Sequence, residues 1–251
     1  MKKRMLIKAG IIAVVIVTAV AVPFFIGLTK LTGVDLVIQY PADSVVLDKS
    51  TVEQDLVNKF GEFTSYQRNQ IKTGEIKDYL ESKNFIEHAV VSVSLTGELR
   101  ITIFQKYAIV RVNNRKGQQF YIDSKMNIIN SQNNETAKCM TATGDIADRP
   151  VGKIDTVKNK DCTVIYRLAS MIDNDSILRY WISGIRKEGK TWYLLPSQGE
   201  YTVTLGDSSD WKNEFEKLRY LFDYSFKQNG WADYTDIDLR FHNLAVCRKD
   251  S

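Results

Sequence analysis

Eight consecutive residues carry the letters of a phosphate-binding loop. Gly184-Ile185-Arg186-Lys187-Glu188-Gly189-Lys190-Thr191 fits G-x-x-x-x-G-K-[ST] in full. That motif works because a glycine-rich loop aims backbone amides at phosphate from a helix N-terminus. Here the following residues, Thr191-Trp192-Tyr193-Leu194-Leu195-Pro196, are rich in β-formers and reach a proline. A helix cannot start there, so the stretch reads as a charged hairpin turn. His88 and His242 stand 154 positions apart, and neither lies in an H-E-x-x-H pattern. No serine occupies a G-x-S-x-G elbow. Cys139, Cys162 and Cys247 include no C-x-x-C, and two histidines are too few for a Cys/His metal site. Asp123, Asp236 and Asp238 are carboxylates to weigh as a glycosidase pair, with Trp181, Trp192, Trp211 and Trp231 available to line a sugar site. Each of these carboxylates falls at a strand edge or turn, where solvated carboxylates are ordinary, and the tryptophans have core spacing. Asn134-Glu135-Thr136 and Asn174-Asp175-Ser176 fit the short glycosylation sequon. The expectation is therefore no catalytic residue, no cofactor, no metal and no small-molecule substrate.

The element that fixes where these residues act is the run Ala9 to Leu28. It holds twenty residues without a charge, after Lys2, Lys3, Arg4 and Lys8. Twenty helical residues rise roughly 30 Å, about the hydrocarbon thickness of a bilayer. Ala19-Val20-Ala21 has the form of a signal cleavage site, but the apolar run continues through Phe24, Phe25, Ile26 and Leu28. The reading is an uncleaved anchor over 9–29, with residues 1–8 as a cytoplasmic tail by the positive-inside bias. The bulk of the chain is then exported, tied to the lipid bilayer. The chain has 34 basic and 30 acidic residues, net +4. Setting aside Lys2, Lys3, Arg4, Lys8 and Lys30 leaves 29 basic against 30 acidic, a net charge of −1. The positive excess is a topology signal, and no basic footprint for nucleic acid remains. Export would allow Cys139 and Cys162 to bond; three unpaired, mostly buried thiols are the alternative.

Beyond the anchor, Val34 to Tyr40 has strand composition, and Ser50-Thr51-Val52-Glu53 has the form of a capping box opening a helix to Phe60. A second helix is expected over Gly74 to Ser82. Val91 and Val93, then Leu99, Ile101 and Ile103, alternate with polar residues around a Thr96-Gly97 turn, which predicts a hairpin with one apolar face. Short strands follow at Ala108–Val112, Phe120–Ile122 and Met126–Ile129, and residues 131 to 160 read as a long surface loop. Val164, Leu168 and Met171 suggest a helix. Tyr180–Ile185 and Thr191–Leu195 predict another hairpin, and Tyr201–Leu205 a strand. A helix from about Ser209 carries Phe215, Leu218, Leu221 and Phe222, and the chain closes with strand-like Asp236–Phe241 and Leu244–Val246. The fold class is α+β. An anchored chain without a catalyst points to a scaffold, whose binding devices would be exposed strand edges.

This layout resembles the FtsQ/DivIB family of bacterial cell-division proteins, over nearly the whole chain. Tyr79 to Val93 running into Gly97-Glu98-Leu99-Arg100-Ile101-Thr102-Ile103 looks like the family's helix followed by its "P-x-V-x-x-A-x-V" and "L-x-I-x-V" strands. Phe120-Tyr121-Ile122-Asp123 resembles the opening of the family's β domain, and Asp236 to Phe241 its closing "x-V-D-L-R-Y". Met126-Asn127 replaces the family's glycine, and Lys106-Tyr107-Ala108 its glutamate-x-x-proline. The resemblance implies a POTRA-like β-α-α-β-β domain over 34–105 and a mainly antiparallel β domain over 106–251. It also implies a non-enzymatic divisome scaffold in the inner membrane at the septum, N-terminus cytoplasmic and bulk periplasmic. Its partner would be an FtsB/FtsL-type coiled-coil pair, captured by strand addition through Asp238, Leu239, Arg240, Phe241, Leu244 and Val246. The alternative is an anchored envelope protein that binds or hydrolyses glycan.

Overall fold

The computed structural model describes residues 15–18, 27–41, 44–130, 136–206, 210–226 and 234–249. Among them no helix is long and apolar enough to cross a membrane. Of the run expected to anchor the chain, only Val15–Thr18, which are helical, and Gly27–Leu28 lie within the described residues; the rest, and the 1–8 tail, lie outside them. The chain divides into two compact units, Met1–Pro41 with Leu47–Lys106 and Ala42–Val46 with Tyr107–Ser251. It is an α+β protein with a small and a large sheet.

The first unit runs β1 (Gly33–Gln39), α1 (Lys49–Phe60), α2 (Thr73–Glu81), β2 (Ile86–Val93) and β3 (Glu98–Gln105). Strand β3 takes the middle of its sheet, with β1 parallel on one side and β2 antiparallel on the other. Its period-2 pattern decides which face is covered. Leu99, Ile101 and Ile103 are fully buried, alternating with Arg100, Thr102 and Phe104. Leu36 and Ala89 face the same way from the neighbouring strands, and Val52, Leu56, Ile76 and Leu80 are the buried residues of the two helices. The start of α1 differs from the expected capping box. Asp48 is the N-cap, and its carboxylate accepts from the Thr51 amide at 2.8 Å and the Ser50 hydroxyl at 2.5 Å. A carboxylate both fills the orphan amide and lies toward the positive end of the helix, so it displaces the serine.

The second unit holds a nine-stranded sheet. Its strands are β4 (Ala108–Asn113), β5 (Gln119–Asp123), β6 (Ile128–Asn130), β7 (Met140–Gly144), β8 (Ile182–Glu188), β9 (Thr191–Pro196), β10 (Thr202–Leu205), β11 (Tyr234–Asp238) and β12 (Val246–Lys249). They lie in the order β12-β11-β10-β9-β8-β7-β4-β5-β6, and five of the eight pairings are antiparallel. Helices α3 (Lys160–Asp173), the short α4 (Leu178–Trp181) and α5 (Trp211–Leu221) accompany it. Helix α3 buries Cys162, Ile165, Leu168, Ala169 and Ile172, which share one core with Val110, Val112, Phe120, Ile185 and Leu194 of the sheet. Of the three residues that first suggest this helix, Leu168 is fully buried, while Val164 and Met171 sit at the flank of that face and are only partly buried.

The described part of the stretch, 136 to 160, is not the continuous surface loop expected over 131 to 160. Within it β7 lies in the interior of the sheet, parallel to both β4 and β8. Met140-Thr141-Ala142-Thr143-Gly144 lacks bulky alternation because only Ala142 is fully enclosed there. Gly144 is required at its end. Its φ is 101°, and a Cβ there would fall 2.1 Å from the Lys187 carbonyl oxygen. All three cysteines are free thiols, so the Cys139–Cys162 bond is not made. Loss of water around Cys139 pushes its thiol up to about 12, and burial also raises Cys162 and Cys247, which keeps all three protonated and unreactive.

Candidate partner-binding edge

The residues with chemical potential in the sequence are spent on structure. The G-x-x-x-x-G-K-T stretch is the β8–β9 hairpin: Glu188 pairs with Thr191, and Gly189 takes φ 57° in the turn. Its Lys187 is held at 2.7 Å by Asp161. Asp123 folds the β5–β6 turn, accepting the amides of Lys125 at 2.8 Å and Asn127 at 2.7 Å. Asp236 faces the hydroxyls of Thr202 and Thr204, each at 3.4 Å. His88 sits 2.7 Å from Glu81, and His242 3.9 Å from Asp210, in different units. Trp192 and Trp211 are buried, and Trp181 packs on Phe222 with ring centroids 4.6 Å apart.

Two cavities open in the second unit, of about 320 Å³ and 330 Å³. Asp173 is the only carboxylate lining the first, and it accepts the Tyr107 hydroxyl at 2.7 Å. Burial, then that bond to Asp173, pushes the Tyr107 phenol up to about 12, so it stays a donor. The second is lined by Trp192, Trp211, Lys190 and Arg240 and, among the described residues, has no carboxylate. Neither has the two facing carboxylates that glycoside hydrolysis uses.

The sheet margins differ from each other. At β6, residues 152–154 run along the outside: the Ile128 amide donates to Gly152 at 2.6 Å, and the Ile154 amide to Met126 at 2.9 Å. That margin is covered where β6 begins, at Met126–Ile128. At the other margin β12 pairs with β11 alone, antiparallel, with Asp236 opposite Arg248 and Asp238 opposite Val246. Its outer row of N–H and C=O groups has no strand beside it among the described residues, which leaves a site for an added strand.

A family model described as FtsQ/DivIB, C-terminal related, matches residues 107–248, from the start of the large sheet into β12. The chain belongs to the FtsQ/DivIB family. No curated protein matches it significantly. FtsQ/DivIB proteins are non-enzymatic cell-division proteins associated with the membrane at the septum, and this chain is a cell-division protein.

The six residues expected at the edge of this FtsQ/DivIB domain divide into two groups. Leu239 is fully buried in the core next to Ile237, and its amide donates to Thr204 at 3.0 Å. Asp238 is 5% exposed; both its oxygens take the Arg240 guanidinium, one from Nε at 2.9 Å and the other from Nη2 at 2.6 Å. That forked bond from Arg240 holds the Asp238 carboxyl below the ordinary aspartate value. Neither side chain can be touched by a partner. Phe241, Leu244 and Val246 are exposed at 50%, 63% and 40%, and the Arg240 side chain is also open to solvent. On β12, Cys247 turns to the core, while Lys249 lies over the Tyr234 ring, 4.7 Å from its centroid.

One residue of this edge has no signal in the sequence. Lys217 of α5 reaches over and donates to the carbonyls of Leu239 at 2.6 Å, Phe241 at 2.7 Å and Leu244 at 3.3 Å. Its partners stand 22 to 27 positions downstream, beyond any local pattern.

Proposed function

We propose that the chain is a membrane-anchored divisome scaffold that captures an FtsB/FtsL-type coiled-coil pair by strand addition at β12. In this reading the anchor over 9–29 fixes the chain in the inner membrane, with its first unit acting as a POTRA-like domain in the periplasm. The large sheet then presents its edge at the septum. The observation that carries the reading is the asymmetry of that sheet: residues 152–154 hydrogen-bond at Met126–Ile128 where β6 begins, whereas no strand lies outside β12 among the described residues. Beside the unpaired row stand Phe241, Leu244 and Val246, whose exposed apolar surface would be covered by the alternate side chains of an incoming strand.

Truncation of residues 236–251 is a poor test, because it removes Ile237 and Leu239 from the core. The substitution Cys247→Pro leaves Ile237 and Leu239 in place and removes a β12 donor that faces away from β11. Pull-down of the purified FtsB/FtsL-type pair, with circular dichroism as the folding control, should show capture lost. A folded Cys247→Pro chain that still captures the pair as well as the parent would overturn the reading.

A further inference from the structure

We infer that Lys217 is the positioning residue of the partner-binding edge: its ammonium holds the β11–β12 connection in the shape that presents Phe241 and Leu244. The inference rests on the reading of β12 as the docking edge and adds to it what keeps that edge ready.

Leu239 to Ala245 join β11 to β12 without belonging to either strand. Such a connection would ordinarily sample many shapes, and ordering each residue costs backbone entropy. Three of its carbonyls, at 239, 241 and 244, instead converge on one Nζ. An ammonium has three N–H donors and no acceptor, so three carbonyls match its full capacity. Among the described residues no other side chain donates to these carbonyls. The Phe241 oxygen also accepts the Leu244 amide at 3.3 Å, and Asn243 takes the left-handed φ of 57° between them. Two of the three held carbonyls thus belong to the very residues whose side chains stand exposed.

The base from which Lys217 reaches is itself rigid. Trp211, Glu214, Phe215 and Leu218 of α5 are buried, and the Glu214 carboxylate accepts the Gly206 amide at 3.1 and 3.0 Å. Phe241 and Leu244 are therefore tied to the core through a single side chain. A connection already ordered before docking binds more tightly, because association need not order it.

Lys217→Met keeps the length of the side chain and removes its donors. In the full-length chain, affinity for the purified FtsB/FtsL-type pair should fall about tenfold, equivalent to about 1.4 kcal/mol. Amide exchange at 240–245 should accelerate while exchange in β10 stays as in the parent, and Lys217→Arg should recover part of the lost affinity. Parent-like binding by the Met variant, unchanged exchange at 240–245, or an Arg variant no better than Met would each overturn the inference. If the Met variant fails to fold, Asn243→Gly loosens the same turn at its left-handed residue. It must then show faster exchange together with weaker binding, and parent-like binding by it refutes the role. The Cys247→Pro edge variant separates the two ideas. Capture that survives it defeats the docking reading, whereas capture that it abolishes but Lys217→Met leaves intact defeats the role of Lys217 alone.

Discussion

Phe241→Ala tests the docking surface with the least disturbance to the fold, because half of the ring is already in solvent. A phenylalanine that is fully covered buries roughly 150–250 Å². With 50% of its surface exposed in the free chain, about 100 Å² remains for a partner to cover, by the same measure. At about 25 cal/mol per Å² that area is worth about 2.5 kcal/mol when wholly desolvated. Alanine retains a part of it, so the expected loss is about 1.5 kcal/mol, or about tenfold in Kd. Calorimetric titration of the full-length chain with the FtsB/FtsL-type pair measures this directly. The loss should be the same at low and high salt, since no charge is removed, and the unfolding midpoint should hardly move. A Kd within twofold of the parent would refute the claim that Phe241 is covered on binding. So would a loss that vanishes at high salt.

Two further outcomes follow from the geometry of the large sheet. Gly144→Ala should destabilise the second unit by at least about 2 kcal/mol in urea unfolding, because the new methyl would meet the Lys187 carbonyl and the backbone is left-handed there. Parent-like stability of that variant would show that β7 and β8 can separate at this point. The Asp238 carboxyl titrates below its ordinary value of 3.8, chiefly through the forked bond from Arg240. A lowered folded value means the stabilisation is present above 3.8 and is lost as the pH falls through the folded value. Asp238→Asn should therefore flatten the acid limb of the thermal-stability profile, and an unchanged limb would contradict the pairing.

Legibility in the sequence follows the range over which each feature is encoded. The β2–β3 hairpin was readable because Leu99, Ile101 and Ile103 alternate with polar residues around a glycine turn, all within one short stretch. The β8–β9 hairpin was readable because Pro196 forbids the helix that a phosphate loop needs. β7 was hidden for the opposite reason. Its partners lie some thirty to forty-five positions away, at β4 and β8, and a residue as small as Ala142 suffices between them. The closing segment shows both effects. Asp236 to Phe241 has continuous strand composition, yet β11 ends at Asp238 because Arg240 folds back on that carboxylate and Asn243 turns the chain. Family likeness located the edge but could not say which way each side chain faces. The pairing of β10 with β11 sends Ile237 and Leu239 inward and so leaves Phe241, Leu244 and Val246 as the accessible set.

The segment 152–154 along β6 has a further consequence, for stoichiometry. A sheet open at both margins is divalent and can propagate from chain to chain into a fibre. With residues 152–154 bound at Met126–Ile128, a strand added at β6 would have only Ile129 and Asn130 to pair with, so β12 offers the longer margin among the described residues. A second copy of the chain and a partner strand would then be mutually exclusive occupants. Arg248 and Lys249 tilt that competition, since a second β12 would bring the same cations against them.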